Sequence, residues 1–343
     1  ELTIKTTIEA KNIVNIEKEG RAVLQSRCLL EIIRKMPSEI INFELTDNNN
    51  IKIYSDINEY VIECYNIGEY PNIALEKSQN TIYLESKILK RLQNHKLCTD
   101  LVNYLFADEE LQEMQDYANN VSIKRLGYND HGPVHMRQVA ANAIKMLNLL
   151  QSAGIQTSLE KEEIGTFEDS MCAVIIAGLM HDLGMMIGRQ GHENMSVILA
   201  KPIIERTLMH ILPEDLHRRT IIKSLAIEAI IGHMSSHKIH SIEAGIILIA
   251  DGCDMTKGRA RIPMAINTTP RVGDIHKYSA NAINRIGIHH GEKKPIRIDI
   301  EMTGDVGFFQ IEEVLLTKIE SSPAKQYVEL YAGVEGQEPK CYL

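Results

Sequence analysis

Apolar positions recur with a period of two over much of the first 88 residues. Leu2–Ala10 and Ile13–Glu17 read as strands. Ile41–Leu45, Ile51–Tyr54 and Tyr60–Cys64 alternate in the same way, with an Asn-rich turn at Asp47–Asn50 between the first two. Between these groups, Ser26–Met36 has helical spacing, with Cys28, Leu29, Ile32, Ile33 and Met36 on one side. Tyr70–Asn72 reads as a loop and Thr81–Leu84 as one more short strand. The pattern predicts an α+β module over residues 1–88.

From residue 89 to 292 the period becomes helical. Val134–Gly154 carries Met136, Val139, Ala140, Ala143, Ile144, Leu147 and Leu150 on one stripe, with Pro133 in the first turn and Gly154 as a stop. Further helices are predicted at Leu97–Phe106, Asp108–Val121, Asp169–Leu183, Asn194–Leu212, Asp215–His233 and Ser241–Asp251. Residues 256–292 are loop-rich and basic, with a helix expected at Tyr278–Ile286. Period two returns at Ile296, Ile298, Ile300 and Met302, followed by a helical piece at Gln310–Ser321 and a strand at Gln326–Tyr331. Residues 293–343 are therefore expected to form a small α/β appendage, and the fold class is mainly α.

Composition narrows the function. No apolar run is expected to reach the roughly 18 residues that cross a bilayer, and no signal peptide is read at the start. The net charge is −9, and neither the first 95 residues nor the remainder is basic. That argues against a nucleic-acid binder by bulk charge. Six cysteines are scattered with no C-x-x-C pair, as expected of reduced thiols in a cytoplasmic protein.

The chemistry concentrates in HGPVHMRQV at 131–139 and LMHDLGM at 179–185. His181 and Asp182 end an apolar stretch, Met171–Met180. An imidazole and a carboxylate buried there need partners. A hydrogen-bonded His–Asp pair is one answer and a divalent metal another, since both groups are metal ligands. His135 lies upstream, and Asp251 ends a second apolar run, Ala244–Ala250. A helix C-terminus disfavours a carboxylate, so Asp251 also asks for a partner.

This order of residues resembles the HD superfamily of metal-dependent phosphohydrolases over roughly residues 95–292. The resemblance implies an HD-type all-helical core and a first metal on His135, His181, Asp182 and Asp251. Two-metal relatives add histidines at places matched here by His192 and His233, with Asp182 bridging the ions. HD-GYP phosphodiesterases carry adjacent histidines where this chain has His233 and, four residues on, His237, which is a spare candidate. His131 matches the catalytic acid of the cyclic-nucleotide phosphodiesterases, and a cap or a phosphate contact is its other reading. Arg189, Lys257, Arg259 and Arg261 suit a phosphate clamp beside metal ligands, with Asp254 holding one of them; a solvated loop of mixed charge is the other reading.

A second resemblance lies in GRAVLQSRCLLEIIRKMPSE and FELTDNNNIKIYSDINEYVIECYNIGEYPNI. These segments look like part of a bacterial β sliding clamp. Most of a clamp is missing, and a structural or docking role is favoured over DNA binding.

The expected activity is that of a metal-dependent phosphohydrolase acting on a nucleotide, a monoester or a phosphodiester, with one or two divalent ions (Mn, Fe, Co, Ni, Zn or Mg). Catalytic roles are expected for His131, Asp182, Arg189 and Lys257. The expected partner is a small phosphorylated substrate, with a homodimer compatible with the Met-rich helices. Two alternatives remain: a non-catalytic nucleotide-binding or regulatory module docked on a replication or repair assembly, and a diiron oxygenase of HD type.

Overall fold

The computed structural model describes residues 26–36, 40–46, 50–56, 58–63, 73–255 and 279–343. The chain divides into two compact units, residues 1–78 and 79–343. It is mainly helical, with one small antiparallel sheet in the first unit and one mixed sheet near the C-terminus.

In the first unit, α1 (Ser26–Lys35) precedes a meander of β1 (Asn42–Thr46), β2 (Asn50–Tyr54) and β3 (Glu59–Glu63). The strands pair antiparallel in chain order, with Phe43 opposite Ile53 and Ile53 opposite Tyr60. Alternation puts Ile51 and Ile53 on one face, where they pack with Ile32 and Met36 of the helical segment. Leu2–Ala10, Ile13–Glu17 and Tyr70–Asn72 lie outside the described residues.

Thr81–Leu84 is not a strand. It lies within α2 (Ile73–Arg91), a helix whose buried residues Leu84 and Ile88 stand four apart and lead to Leu92 just beyond its end. The β-branched run Thr81-Ile82 lies on the other side, where Ile82 is exposed. The i, i+4 stripe therefore overrides local strand preference.

The larger unit continues with α3 (Lys96–Phe106), α4 (Glu109–Asn120), α5 (Pro133–Ser152), a short α6 (Ser158–Lys161), α7 (Phe167–Met180), α8 (His192–Ile211), α9 (Leu216–Gly232) and α10 (Ile242–Gly252). Their starts are written in polar side chains. Asp108, Asp215 and Ser241 accept from backbone N–H groups of the first turn, and Thr166 forms a reciprocal capping box with Asp169. Every residue of α7 except Glu168 is buried. It runs against α5 so closely that a Cβ on Gly178 would lie 2.7 Å from the Ala140 Cα.

The stretch Phe167–Met186 is long and apolar enough to cross a membrane, contrary to the sequence expectation, but 94% of its apolar window is buried inside the protein. Its apolar surface is already taken up by neighbouring helices, at roughly 1.5–3 kcal/mol for each large side chain buried.

Of the expected helix at Tyr278–Ile286, residues 279–281 are helical and Ile283 onward is strand, while Tyr278 lies outside the described residues. After a turn at 282, β4 (Ile283–His290) pairs with β5 (Ile296–Met302), and a shift of register between Ile283 and Arg285 breaks the two-residue period. β6 (Val328–Val334) joins β5 in parallel and β7 (Lys340–Cys341) closes the sheet. A π-helical turn, Gln310–Leu316, and α11 (Thr317–Ser321) make the crossover. Ile296, Ile298, Ile300 and Leu330 join the same apolar core as α5, α7 and α10.

Candidate metal centre

Helix ends build the site. His135 is in the first turn of α5, His181 caps the C-terminus of α7 and Asp182 follows it. His192 opens α8, His233 caps α9, and Asp251 lies in the last turn of α10. All six side chains are buried. Two glycines let these ends meet. A Cβ on Gly184 would fall 2.0 Å from the His192 carbonyl oxygen, so only glycine fits where the 182–186 turn meets α8. Gly184 has an ordinary φ, and close packing rather than a left-handed helix stop explains it. Gly191, at φ +66°, makes the left-handed entry to α8.

The imidazole protons point away from the centre. His181 donates from Nδ1 to the Gly178 carbonyl (3.0 Å), His192 to that of Arg189 (2.8 Å) and His233 to that of Ile230 (2.7 Å). A carbonyl oxygen only accepts, so in each neutral ring Nε2 keeps the lone pair. His135 donates from Nδ1 to Asp254 at 2.6 Å. Asp254 therefore orients a histidine, where the sequence reading had it holding a basic side chain.

The four Nε2 atoms converge on two carboxylates. His135 Nε2 lies 3.1 Å from His181 Nε2, 3.2 Å from Asp182 Oδ2 and 3.2 Å from Asp251 Oδ1. His181 Nε2 is 3.4 Å from the same Asp182 oxygen. On the other side, His192 Nε2 and His233 Nε2 are 3.0 Å apart and lie 3.2 and 3.4 Å from Asp182 Oδ1. Asp182 thus gives one oxygen to each pair of histidines. Lone pairs facing one another and two carboxylates at these distances repel unless a cation lies among them. His135, His181 and Asp182 form one group that could hold a metal ion, and Asp182, His192 and His233 form another. His181, His233 and Asp251 make a third, overlapping set. Neutral imidazole and carboxylate suit first-row divalent ions, and outward hydrogen bonds from ligating histidines fix their tautomer.

Without a cation, the carboxylates and imidazoles hold one another. Burial raises the Asp182 carboxyl, but the neighbouring imidazoles of His181, His131 and His135 outweigh it and hold it well below the usual range. Burial opposes charge on Asp251 too, and Lys318 is the largest influence holding it low. Burial pushes His233 down to about 4, so it is neutral near pH 7. Burial also lowers His192, but its hydrogen bond with Asp182 leaves it raised.

Lys318 was not read from the sequence. It comes from α11, outside the helical core, and donates through Nζ to Asp251 Oδ2 and to the His233 carbonyl (2.9 Å). Its stem packs on Gly252, where a Cβ would lie 3.2 Å from the Lys318 Cδ. A signal existed: Ile311, Leu315, Lys318 and Ile319 form one buried stripe, with a lysine among apolar residues. Asp251 thereby has the partner its position demands.

Other candidates stand as follows. His131 is buried beside the centre, its ring 5.8 Å from that of His135, with Nδ1 2.6 Å from the Asn129 carbonyl and 2.8 Å from the Ser122 hydroxyl. Arg189 gives its carbonyl to His192, while its guanidinium lies over Tyr128 and near the Met234 sulfur. His237 is exposed and bonds Ser236, away from the converging Nε2 atoms. Lys257, Arg259 and Arg261 lie outside the described residues.

Residues 1–74 match the family model of the DNA polymerase III beta subunit, N-terminal domain. The beta sliding clamp of Staphylococcus aureus is 24% identical over 162 residues, 44% of this chain and 43% of the clamp. The N-terminal segment is thus similar to a sliding-clamp domain, and the match spans under half of a clamp. No solved structure matches the chain. An uncharacterized protein of Methanocaldococcus jannaschii, MJ1020, is 39% identical over 235 residues, covering 68% of this chain and 88% of that protein. With that identity across most of the archaeal protein, this chain belongs to the same family as MJ1020.

Proposed function

We propose that the chain is an HD-type phosphohydrolase with a dinuclear metal centre, acting on a small phosphate ester: a nucleotide, a monoester or a phosphodiester. The observation that carries the reading is Asp182, whose two carboxylate oxygens each face a separate pair of imidazole Nε2 atoms. His135, His181 and Asp251 would hold one ion, His192 and His233 the other, and Asp182 both. A divalent ion in such a site polarises a phosphoryl oxygen and lowers the pKa of water enough to supply a nucleophile near neutral pH.

The chain's own groups do the rest. Asp254 and the three carbonyls hold the imidazoles in one tautomer. Lys318 neutralises the outer oxygen of Asp251, leaving its inner one directed at His135. His131, its Nδ1–H on the Asn129 carbonyl, is placed to carry a proton at Nε2 and deliver it to a leaving oxygen. Arg189 and Lys257 are the candidates for offsetting phosphoryl charge.

The test is phosphate or product release from nucleotides, monoesters, cyclic dinucleotides and single-stranded nucleic acid, with Mn²⁺ supplied, for wild type and Asp182→Ala. Turnover abolished by the substitution supports the reading. Metal-loaded wild type that turns over no phosphate ester refutes it. The clamp-type match at residues 1–74 favours a second reading, a nucleotide-binding module docked on a replication or repair assembly. Tight nucleotide binding without turnover would select it.

A further inference from the structure

A second chemical feature of the larger unit lies behind the His135–Asp254 pair. Three elements each turn one face towards a common cavity of about 370 Å³. Lys87 and Arg91 stand one turn apart on or at the end of α2. Asn142 and Lys145, three apart, share a face of α5. Arg285 comes from β4, and two residues along the same strand face is Gly287, which offers open backbone rather than a side chain.

The charges here are unbalanced. Among the described residues, Lys87, Lys145 and Arg285 form no ion pair with a carboxylate. The Arg91 guanidinium donates to the Ala141 carbonyl, which fixes it without neutralising it. Among the described residues Asp254 is the one carboxylate in the wall, and its Oδ2 accepts from His135 Nδ1. Burial lowers the proton affinity of Lys87, Arg91 and Lys145, and for the two lysines the nearby positive charge of Arg91 lowers it further. Half-buried like charges held together on two packed helices are costly in the free protein, and the exposed Arg285 adds a further positive charge at the rim. An anion relieves both the repulsion and the lost hydration. A guanidinium between two ammonium groups matches several oxygens on one compact ligand.

We propose that this cavity binds a phosphate-bearing small molecule through Lys87, Arg91, Lys145 and Arg285, at a place distinct from the His/Asp donors. The volume suits a chain of a few phosphates and lies within the usual range for small-molecule sites. The proposal rests on the cations alone and stands whether or not the metal centre is catalytic.

The experiment is calorimetric titration of the full chain with inorganic tripolyphosphate in the presence of EDTA. Wild type, Lys87→Gln, Lys145→Gln, Arg285→Gln and Asp182→Ala are compared, with thermal unfolding checking that each is folded. Saturable binding by wild type and Asp182→Ala, weakened tenfold or more by each of the other three substitutions, is the expected result. Absence of saturable binding by wild type overturns the proposal. So does binding that survives the lysine and arginine substitutions. Binding lost in Asp182→Ala would place the anion at the His/Asp donors and overturn it equally.

Discussion

At the scale of single residues, the site is a problem of proton placement. Each of three histidines donates its Nδ1–H to a carbonyl one helical turn earlier, so the Nε2 lone pairs have no choice of direction. His135 depends instead on a carboxylate. Asp254→Asn should weaken divalent-metal affinity by about 10–100-fold, the range for loss of such supporting bonds, while the protein stays folded; unchanged affinity by metal titration would remove Asp254 from the centre. Lys318→Met should do something different. It leaves the outer oxygen of buried Asp251 unpaired, and breaking a buried pair costs about 3–5 kcal/mol. Denaturant unfolding of the metal-free protein would show the loss, and a change below about 1 kcal/mol would count against the pairing. The contrast between these residues explains what could be read beforehand. His135, His181, Asp182 and Asp251 stand out because each is a polar residue ending or beginning an apolar run. Lys318 and Asp254 do not, because their partners are 67 and 119 residues away in the chain and only packing brings them together.

At the scale of elements, the centre exists because five helix ends reach one point, and small residues set how closely they approach. Gly178→Ala should destabilise the protein by about 1–3 kcal/mol, the usual cost of overpacking, because the added methyl would meet the Ala140 backbone. Gly188→Ala has open space around its Cβ and serves as the control. Its effect should stay within about 0.5 kcal/mol. Equal effects by thermal or denaturant unfolding would contradict the packing argument. The helices around the site were legible because their stripes are long and their caps are written in Thr, Ser and Asp. Two elements were not. Thr81–Leu84 is too short to show that its real period is the i, i+4 spacing of Leu84 and Ile88. In β4 the register shift after Ile283 spoils the alternation that would have marked a strand. Composition also hid the nature of α7, since a fully enclosed core helix and a membrane span carry the same apolar signature.

At the scale of the whole molecule, donors carried on the ends of five helices would tie the proposed metal binding to folding of the larger unit. Metal removal should lower the unfolding temperature, and re-addition of an ion at 100 times its Kd should restore about 2.7 kcal/mol by mass action. A melting curve insensitive to chelator would mean that the donors are satisfied without an ion. The clamp-like character of the N-terminal segment was legible in its pattern of strands and one helix, and the match at residues 1–74 bears it out. The measurement that tests the account most directly is the metal content of the desalted, Mn²⁺-loaded chain by elemental analysis, for wild type beside Asp182→Ala. The account predicts two ions per wild-type chain and loss of at least one in the variant, since both ions share Asp182. A wild-type chain that retains no ion, or a variant that retains as many as wild type, would contradict it.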